Sequence, residues 1–303
     1  MHRIDIDSLN ERFGQPGRLQ FRREPGNMAV LEVENELGSA RIALQGAQLL
    51  SWTPRGQEPV VWLSPQAQLV AGKSARGGVP VCWPWFGPHP DGGALPSHGF
   101  ARTAPWEVVA TASAADGGTE LSLRLLRSEA DTALWPHSTP LELWMRIGRE
   151  LAMELRTRNI GTSPVTIGQA LHTYFAVSDI RQVRILGLDG CDYLDKVAGG
   201  RQRQSGAVVC SGETDRIYLD TEADCIIEDP GYRRSIRIAK SGSRSTVVWN
   251  PWIDKAAKLG DLGEDGYLRM LCVESSNAAD DRVTLPPGGV HALGVNYSVT
   301  GLP

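Results

Sequence analysis

Leu141-Glu-Leu-Trp-Met-Arg-Ile147, Gly148-Arg149 and Leu151-Ala-Met-Glu-Leu-Arg-Thr157 decide the fold class. Apolar residues fill every second position on both sides of the break, which is the period of a half-buried strand and not of a helix. Two such runs joined through Gly148-Arg149 read as an antiparallel hairpin. Leu121-Ser-Leu-Arg-Leu125 repeats the pattern upstream. Further strands are predicted over 28–33, 40–44, 165–175, 184–188, 234–238, 246–249, 268–274 and 290–299, punctuated by abundant glycine and proline. Helical turns are expected only at 65–71 and 253–259. Many short strands with little helix predict an all-β antiparallel sandwich. With no internal repeat and no linker-like shift in composition, residues 1–303 are expected to form a single domain.

The charge balance narrows the function. Thirty-one Lys and Arg against 35 Asp and Glu give a net charge of −4, so the basic excess of a nucleic-acid or anionic-membrane surface is missing. No stretch approaches the roughly 20 consecutive apolar residues needed to cross a bilayer. The opening MHRIDIDSLN lacks the apolar block of a signal peptide, so a cytoplasmic protein is expected. The five cysteines, Cys82, Cys191, Cys210, Cys225 and Cys272, are widely spaced and odd in number. They signal neither a disulfide framework nor a zinc site.

Residues 72–105 break the strand pattern. Prolines 80, 84, 88, 90 and 96 and glycines 77, 78, 87, 92, 93 and 99 interrupt any ladder. Ordered loops of this length are usually functional. The stretch carries Trp83, Trp85, Phe86, His89, His98, Arg76 and Arg102. Aromatic rings beside fixed cations suit a ligand with an apolar sugar face and an anionic group, and equally suit a plug at one end of the sandwich. Gly72-Lys73-Ser74 fails as a phosphate loop because Ala67 stands where its first glycine belongs. No G-x-G-x-x-G follows a strand, and neither H-E-x-x-H nor G-x-S-x-G occurs.

Arg76-Gly-Gly-Val-Pro-Val-Cys-Trp-Pro-Trp-Phe-Gly87 and Leu95-Pro-Ser-His-Gly-Phe-Ala-Arg102 resemble the signature of the hexose-6-phosphate mutarotases, a branch of the aldose 1-epimerase superfamily. Ala170-Leu-His-Thr-Tyr-Phe175, Thr214-Asp-Arg-Ile-Tyr218, Val248-Trp-Asn-Pro-Trp252 and Met270-Leu-Cys-Val-Glu274 match in order, as does the tail Asp281-Arg-Val-Thr-Leu-Pro-Pro-Gly288. The resemblance implies an antiparallel β-supersandwich with a sugar cleft, no metal and no organic cofactor. It implies a hexose 6-phosphate as substrate, and a monomer is expected. It makes His172 the general acid and Glu274 the general base. Arg76 and Arg102 take the positions of substrate-binding arginines, and Asp215 that of a carboxylate contacting the sugar. Ser97 stands before His98 where part of the family has glutamine, so that contact is expected to run through water.

The chemistry agrees with those residue types. Interconverting anomers requires removing the C1 hydroxyl proton while protonating the ring oxygen; the open aldehyde then rotates and the ring recloses. One imidazole and one carboxylate suffice. They are expected to face one another across a cavity of hexose size. The bland readings are a core histidine for His172, and for Glu274 a strand-end carboxylate reaching solvent or an ion pair. Arg76 and Arg102 fit a forked clamp on the phosphate, with Gly77 and Gly78 letting the backbone approach it. The alternative has them tie down the loop through acids such as Asp91. His98 fits either a sugar contact or a brace. A non-catalytic sugar-phosphate binding or regulatory module and a glycan hydrolase or lyase remain as rival functions.

Overall fold

The computed structural model describes residues 4–89, 92 and 95–302. Two eight-stranded antiparallel sheets dominate it. The first runs in the order Arg184–Leu186, Cys225–Asp229, Arg234–Ser241, Val290–Gly301, Leu151–Arg158, Leu141–Ile147, Thr119–Leu125 and Trp106–Ser113. The second runs Arg201–Arg203, Asp192–Asp195, Thr214–Tyr218, Ser245–Asn250, Met270–Asn277, Gln169–Leu171 and Val81–Cys82, with Tyr174–Ala176 also paired to Met270–Asn277. A four-stranded meander, Leu19–Glu24 to Gln48–Pro54, and a ribbon of Val165–Ile167 with Val283–Leu285 complete the β structure.

The predicted hairpin forms in register, with Ile147 opposite Leu151 and Leu141 opposite Thr157. Its connection closes when the Gly148 N–H donates to the Glu150 carbonyl at 3.0 Å. Leu141, Leu143, Met145, Ile147, Leu151, Met153 and Leu155 are buried, so the alternation in sequence becomes one apolar face. From the opposite sheet, Phe175, Val248, Leu271 and Val273 enter the same core. The other face of that second sheet therefore stays free of the main core, and it carries the cavity described below.

Residues 165–175 form three short strands, not one. The chain changes partners as it runs: Val165–Ile167 pairs with Val283–Leu285, Gln169–Leu171 with both Val81–Cys82 and the Met270–Asn277 strand, and Tyr174–Ala176 again with that strand. His172 and Thr173 lie in the second gap, where the Thr173 N–H turns back to the Leu171 carbonyl at 2.9 Å. His172 therefore does not sit inside a continuous strand. The helix at Trp252–Leu259 forms as expected. The helical turns expected at 65–71 do not form beyond a single turn from Ser64 to Ala67. Gln45 takes the backbone groups instead, donating to the carbonyls of Val70 and Lys73 and accepting from the Gly72 N–H. Helices at Ile6–Phe13 and Glu129–Leu134 went unpredicted; Asp5 caps the first, and a Ser128–Asp131 capping box starts the second.

In the long stretch 72–105, only Val81–Cys82 joins a sheet among the described residues. Pro90, Asp91 and Gly93 lie outside the described residues. The plug reading holds for part of this stretch, and other residues of it line a cavity. Trp83 and Trp85 are buried and plug the sandwich, Trp83 meeting Phe100 edge-on at 5.6 Å and donating to Thr157 Oγ1 at 3.1 Å. Phe86, His98, Arg76 and Arg102 line the cavity. At Gly77 and Gly78 the structure shows a packing reason for glycine. They adopt positive φ, and a Cβ would meet the Trp62 carbonyl at 2.6 Å or the Leu49 carbonyl at 2.3 Å, so they serve tight packing of backbone on backbone.

Gly99 holds the return of this stretch against the core. Its φ is 71°, and a Cβ there would lie 1.9 Å from the Trp83 carbonyl. Gly99→Ala is expected to cost more than about 3 kcal/mol of stability, read by urea unfolding. A loss below about 1 kcal/mol would show that the approach is looser than this.

Candidate active site

The register of the second sheet builds the site. Leu171 pairs with Ser275 and Tyr174 with Cys272, which sets His172 opposite Glu274 on the neighbouring strand. In the next strand, Val247 pairs with Glu274 and Trp249 with Cys272. Beyond it, Asp215 pairs with Trp249 and Ile217 with Val247, and Leu194 pairs with Ile217. Side chains opposite one another share a face. His172, Tyr174, Glu274, Val247, Trp249, Asp215, Ile217 and Leu194 accordingly line one cavity of about 720 Å³. Arg76, Ser97, His98 and Arg102 complete its wall, so every predicted site residue opens onto the same space.

His172 and Glu274 do not face one another across that space. Their nearest atoms, Nδ1 and Oε1, are 3.3 Å apart, because cross-strand neighbours stand side by side. The approach lacks the alignment of a hydrogen bond: Nδ1 of His172 and Oε2 of Glu274 are buried without partners. Glu274 is 1 % exposed, so it neither reaches solvent at a strand end nor forms an ion pair with lysine or arginine among the described residues. Burial and, next, the Asp215 charge hold its carboxyl well above the usual range. Burial first, then His98, Arg102 and Arg76, hold the His172 imidazole well below its own. Each shift disfavours the charged form.

Tyr174, which sequence reasoning missed as a site residue, stacks on His172 with ring centres 4.9 Å apart and planes 7° from parallel. Its hydroxyl accepts from Arg76 Nη1 at 3.0 Å, while Arg76 Nε pairs with Asp261 at 2.9 Å. The ion pair foreseen for the loop thus exists, but through Asp261. Asp91 lies outside the described residues. Burial opposes the Arg76 charge, yet Tyr174 and Asp261 more than offset it and raise its pKa. Arg102 Nη2 donates to the Ser97 carbonyl at 2.7 Å, and the Ser97 residue itself is exposed at the cavity wall.

His98 braces the loop, one of the two jobs weighed for it, and its ring lines the cavity. Its N–H donates to the Gly87 carbonyl at 2.8 Å, and its Nδ1 accepts from the Gly87 N–H at 3.3 Å. Burial, helped by Arg102, brings it down to about 4. A neutral ring whose Nδ1 accepts must carry its proton on Nε2, which makes it a hydrogen-bond donor at the cavity wall. Burial raises the Asp215 pKa, and Lys255 stands 4.0 Å away. Lys73, Lys196 and Lys255 also line the cavity; sequence reasoning met Lys73 only in the rejected Gly72-Lys73-Ser74 phosphate loop and did not mark the other two. The wall is therefore cationic in a protein whose net charge is −4.

An aldose 1-epimerase family profile matches residues 29–298. The chain belongs to the aldose 1-epimerase family. Relatives named "Putative glucose-6-phosphate 1-epimerase" include one from Salmonella typhimurium, 39% identical over 84% of this chain and 85% of its own length. Another, from Cenchrus ciliaris, is 37% identical over 82% of this chain and 78% of its own. The crystal structure of "a putative mutarotase (YeaD)" from Salmonella typhimurium superposes with a TM-score of 0.89 at 34% identity, over 96% of each chain. A galactose mutarotase-like protein from Lactobacillus casei shares the fold, with a TM-score of 0.69 at 16% identity over 89% of this chain and all of that one. The chain is an antiparallel β-sandwich enzyme of the epimerase class. No helix among the described residues is long and apolar enough to cross a membrane.

The burial of Glu274 has a thermodynamic consequence. Its pKa is raised in the folded state, so the carboxyl costs nothing below its ordinary value of 4.5, where both states hold the proton. As pH climbs from there towards the folded value, only the unfolded chain ionises, and stability falls. Glu274→Gln removes this loss. The variant is expected to gain about 1–3 kcal/mol on the wild type at pH 7.5, and little at pH 4.5, by urea unfolding. An equal difference at both pH values would contradict the burial argument.

Proposed function

We propose that the protein is a hexose-6-phosphate mutarotase, interconverting the α and β anomers of glucose 6-phosphate and related hexose 6-phosphates. The observation that carries this reading is the 3.3 Å approach of His172 Nδ1 to Glu274 Oε1 on the wall of a cationic cavity. The hydroxyl oxygen and the ring oxygen of a pyranose are both bonded to C1. Two proton-handling groups that must serve both oxygens at once therefore have to be neighbours.

One proton shared by the pair is enough. His172 delivers it to the ring oxygen while Glu274 takes the proton of the C1 hydroxyl, and the ring opens to an aldehyde. The pair has then exchanged roles. After rotation about C1–C2, the same groups run the steps backwards on the other carbonyl face. In the free site, burial disfavours charge on both groups, which favours a neutral imidazole beside a protonated carboxyl. A phosphate dianion against Arg76 and Arg102 offsets two of the charges that depress His172. Substrate binding thus moves the proton towards the imidazole and arms the acid.

Arg76, held by Asp261 and Tyr174, and Arg102, held by the Ser97 carbonyl, form the phosphate clamp in this reading. Asp215 and His98 contact sugar hydroxyls. Trp249 and Phe86 flank the ring, and large aromatics suit the apolar face of a hexose. Acting as one domain and as a monomer, the chain works without metal or organic cofactor. The five cysteines, all free, support a reducing cytoplasmic setting.

Two outcomes are expected from NMR measurement of anomer exchange in glucose 6-phosphate. His172→Ala and Glu274→Ala each lose about 10²–10⁴-fold in rate while remaining folded. Arg102→Ala raises KM for glucose 6-phosphate about 10–100-fold, the cost of a charge-assisted bond of about 1.5–3 kcal/mol, and leaves slow exchange of free glucose unchanged. Binding of the sugar phosphate with no exchange in the wild type would identify a binding module instead.

The pH profile follows from the directions already given. kcat/KM is expected to be bell-shaped, falling in acid as the pair takes up a second proton and in alkali as it loses its only one. Because the imidazole is depressed, the acid limb is expected below the ordinary histidine value of 6.5; because the carboxyl is raised, the alkaline limb is expected well above the ordinary carboxyl value of 4.5. An acid limb present in the wild type but lost in His98→Asn would reassign it to His98.

A further inference from the structure

Beneath the acid–base pair lies a side chain the proposed reaction does not use. Cys272 is two residues before Glu274 on the same strand, so the two point to one face. It stands opposite Tyr174 on one side and Trp249 on the other. Its thiol is fully buried and free. One donor atom each from His172, Cys272 and Glu274 lies within 4.8 Å of the other two.

We propose that His172, Cys272 and Glu274 form an inhibitory site for a thiophilic divalent cation of the zinc type. A tetrahedral zinc with bonds of about 2.0–2.3 Å holds its ligand atoms about 3.3–3.7 Å apart. The His172–Glu274 separation of 3.3 Å already meets that geometry. The thiol needs a shift of no more than about 1.5 Å, within reach of a side-chain rotation. The set of one imidazole, one thiolate and one carboxylate is a mixed nitrogen, sulfur and oxygen donor set that suits zinc, and the hard ions magnesium and calcium poorly.

A second observation points to a ligand here. Glu274 is 1 % exposed, yet its Oε2 has no hydrogen-bond partner, and the buried Nδ1 of His172 has none either. Two unpartnered polar atoms on neighbouring side chains are costly in a folded interior. A cation satisfies both at once. The complex of a divalent ion with a thiolate and a carboxylate is neutral, so burial penalises it little. His172 and Glu274 open onto the cavity, which gives the ion its way in, and the thiol proton leaves by the same route.

The consequence for activity rests on the proposed function; the metal site itself does not. A cation on His172 and Glu274 occupies the lone pairs that the proton shuttle needs, and it sits where C1 of the sugar must approach. Zinc therefore competes with the sugar phosphate, and a chelator restores activity. Cys272 takes no part in the shuttle, so removing it leaves metal-free exchange intact while removing one ligand of three.

Co²⁺ titrated into the chelator-treated wild type reads the site directly, through the near-ultraviolet absorption of a cobalt–thiolate bond. That band is expected in the wild type at one ion per chain, and not in Cys272→Ala or Cys272→Ser. In the exchange assay, Zn²⁺ is expected to inhibit the wild type competitively with glucose 6-phosphate. Both Cys272 variants are expected to need about 100-fold more zinc, since even outer-sphere changes at metal sites cost 10–100-fold. A band that persists in both variants, no band in the wild type, or equal zinc sensitivity of wild type and variants would overturn the proposal. If the protein exchanged no anomers at all, the cobalt band would still decide the metal site, and only the proposed function would fail.

Discussion

The structure turns on a single register: His172 opposite Glu274 across two antiparallel strands. A cross-strand pair stands about 4.5–5.5 Å apart at Cβ, so its side chains meet without help from any loop. That spacing matches two oxygens on one carbon better than it would match the two ends of a sugar ring. Shifting either strand by one residue would turn one member of the pair into the core. The neighbouring ladders that lock this register, from Val81–Cys82 on one side to Thr214–Tyr218 on the other, are thus part of the site as much as the groups it displays.

The same sheet explains why the site is buried and yet open. Its inner face supplies Phe175, Val248, Leu271 and Val273 to the core shared with the other sheet. Its outer face keeps the alternating positions, Tyr174, Val247, Trp249 and Glu274, and is roofed by the stretch that carries Arg76, His98 and Arg102. Putting a carboxyl and an imidazole into that enclosure works against stability. Function and stability are therefore opposed at Glu274, as expected where a fold retains an ionisable group it does not need for packing.

Much of the fold was legible because period-two alternation is plain in the strands from Leu121 to Leu125 and from Leu141 to Thr157, though not in Met270–Asn277, which is buried at every position. The exceptions have local causes. The run 165–175 reads as one strand because its composition is continuous, but exchange of pairing partners is a tertiary event that no local pattern records. The segment 65–71 has apolar spacing suited to a turn of helix, and Gln45, distant in sequence, intercepts its backbone. The helices at Ile6–Phe13 and Glu129–Leu134 were announced only by their caps. For the site, the residue types at 76, 97, 98, 102, 172, 215 and 274 were recognisable through family resemblance, and all open onto one cavity. The side-by-side placement of the pair was not, since register across strands is invisible in one sequence. Tyr174 carried a signal, the spacing of two from His172, which implies a shared face if the strand resumes. Lys196 and Lys255 carried none, because single lysines are ordinary on any surface, and Lys73 appeared only in a failed phosphate-loop motif.

The central claim is that His172 and Glu274 act as one device passing a single proton back and forth. A double-mutant cycle on anomer exchange tests it most directly, comparing His172→Ala, Glu274→Gln and the double variant at one pH by magnetisation transfer between the two anomers of glucose 6-phosphate. Groups that work as a unit are grossly non-additive. The double variant is predicted to be no slower than the slower single variant. Losses that multiply would mean two independent contributions, and would contradict the shared-proton account.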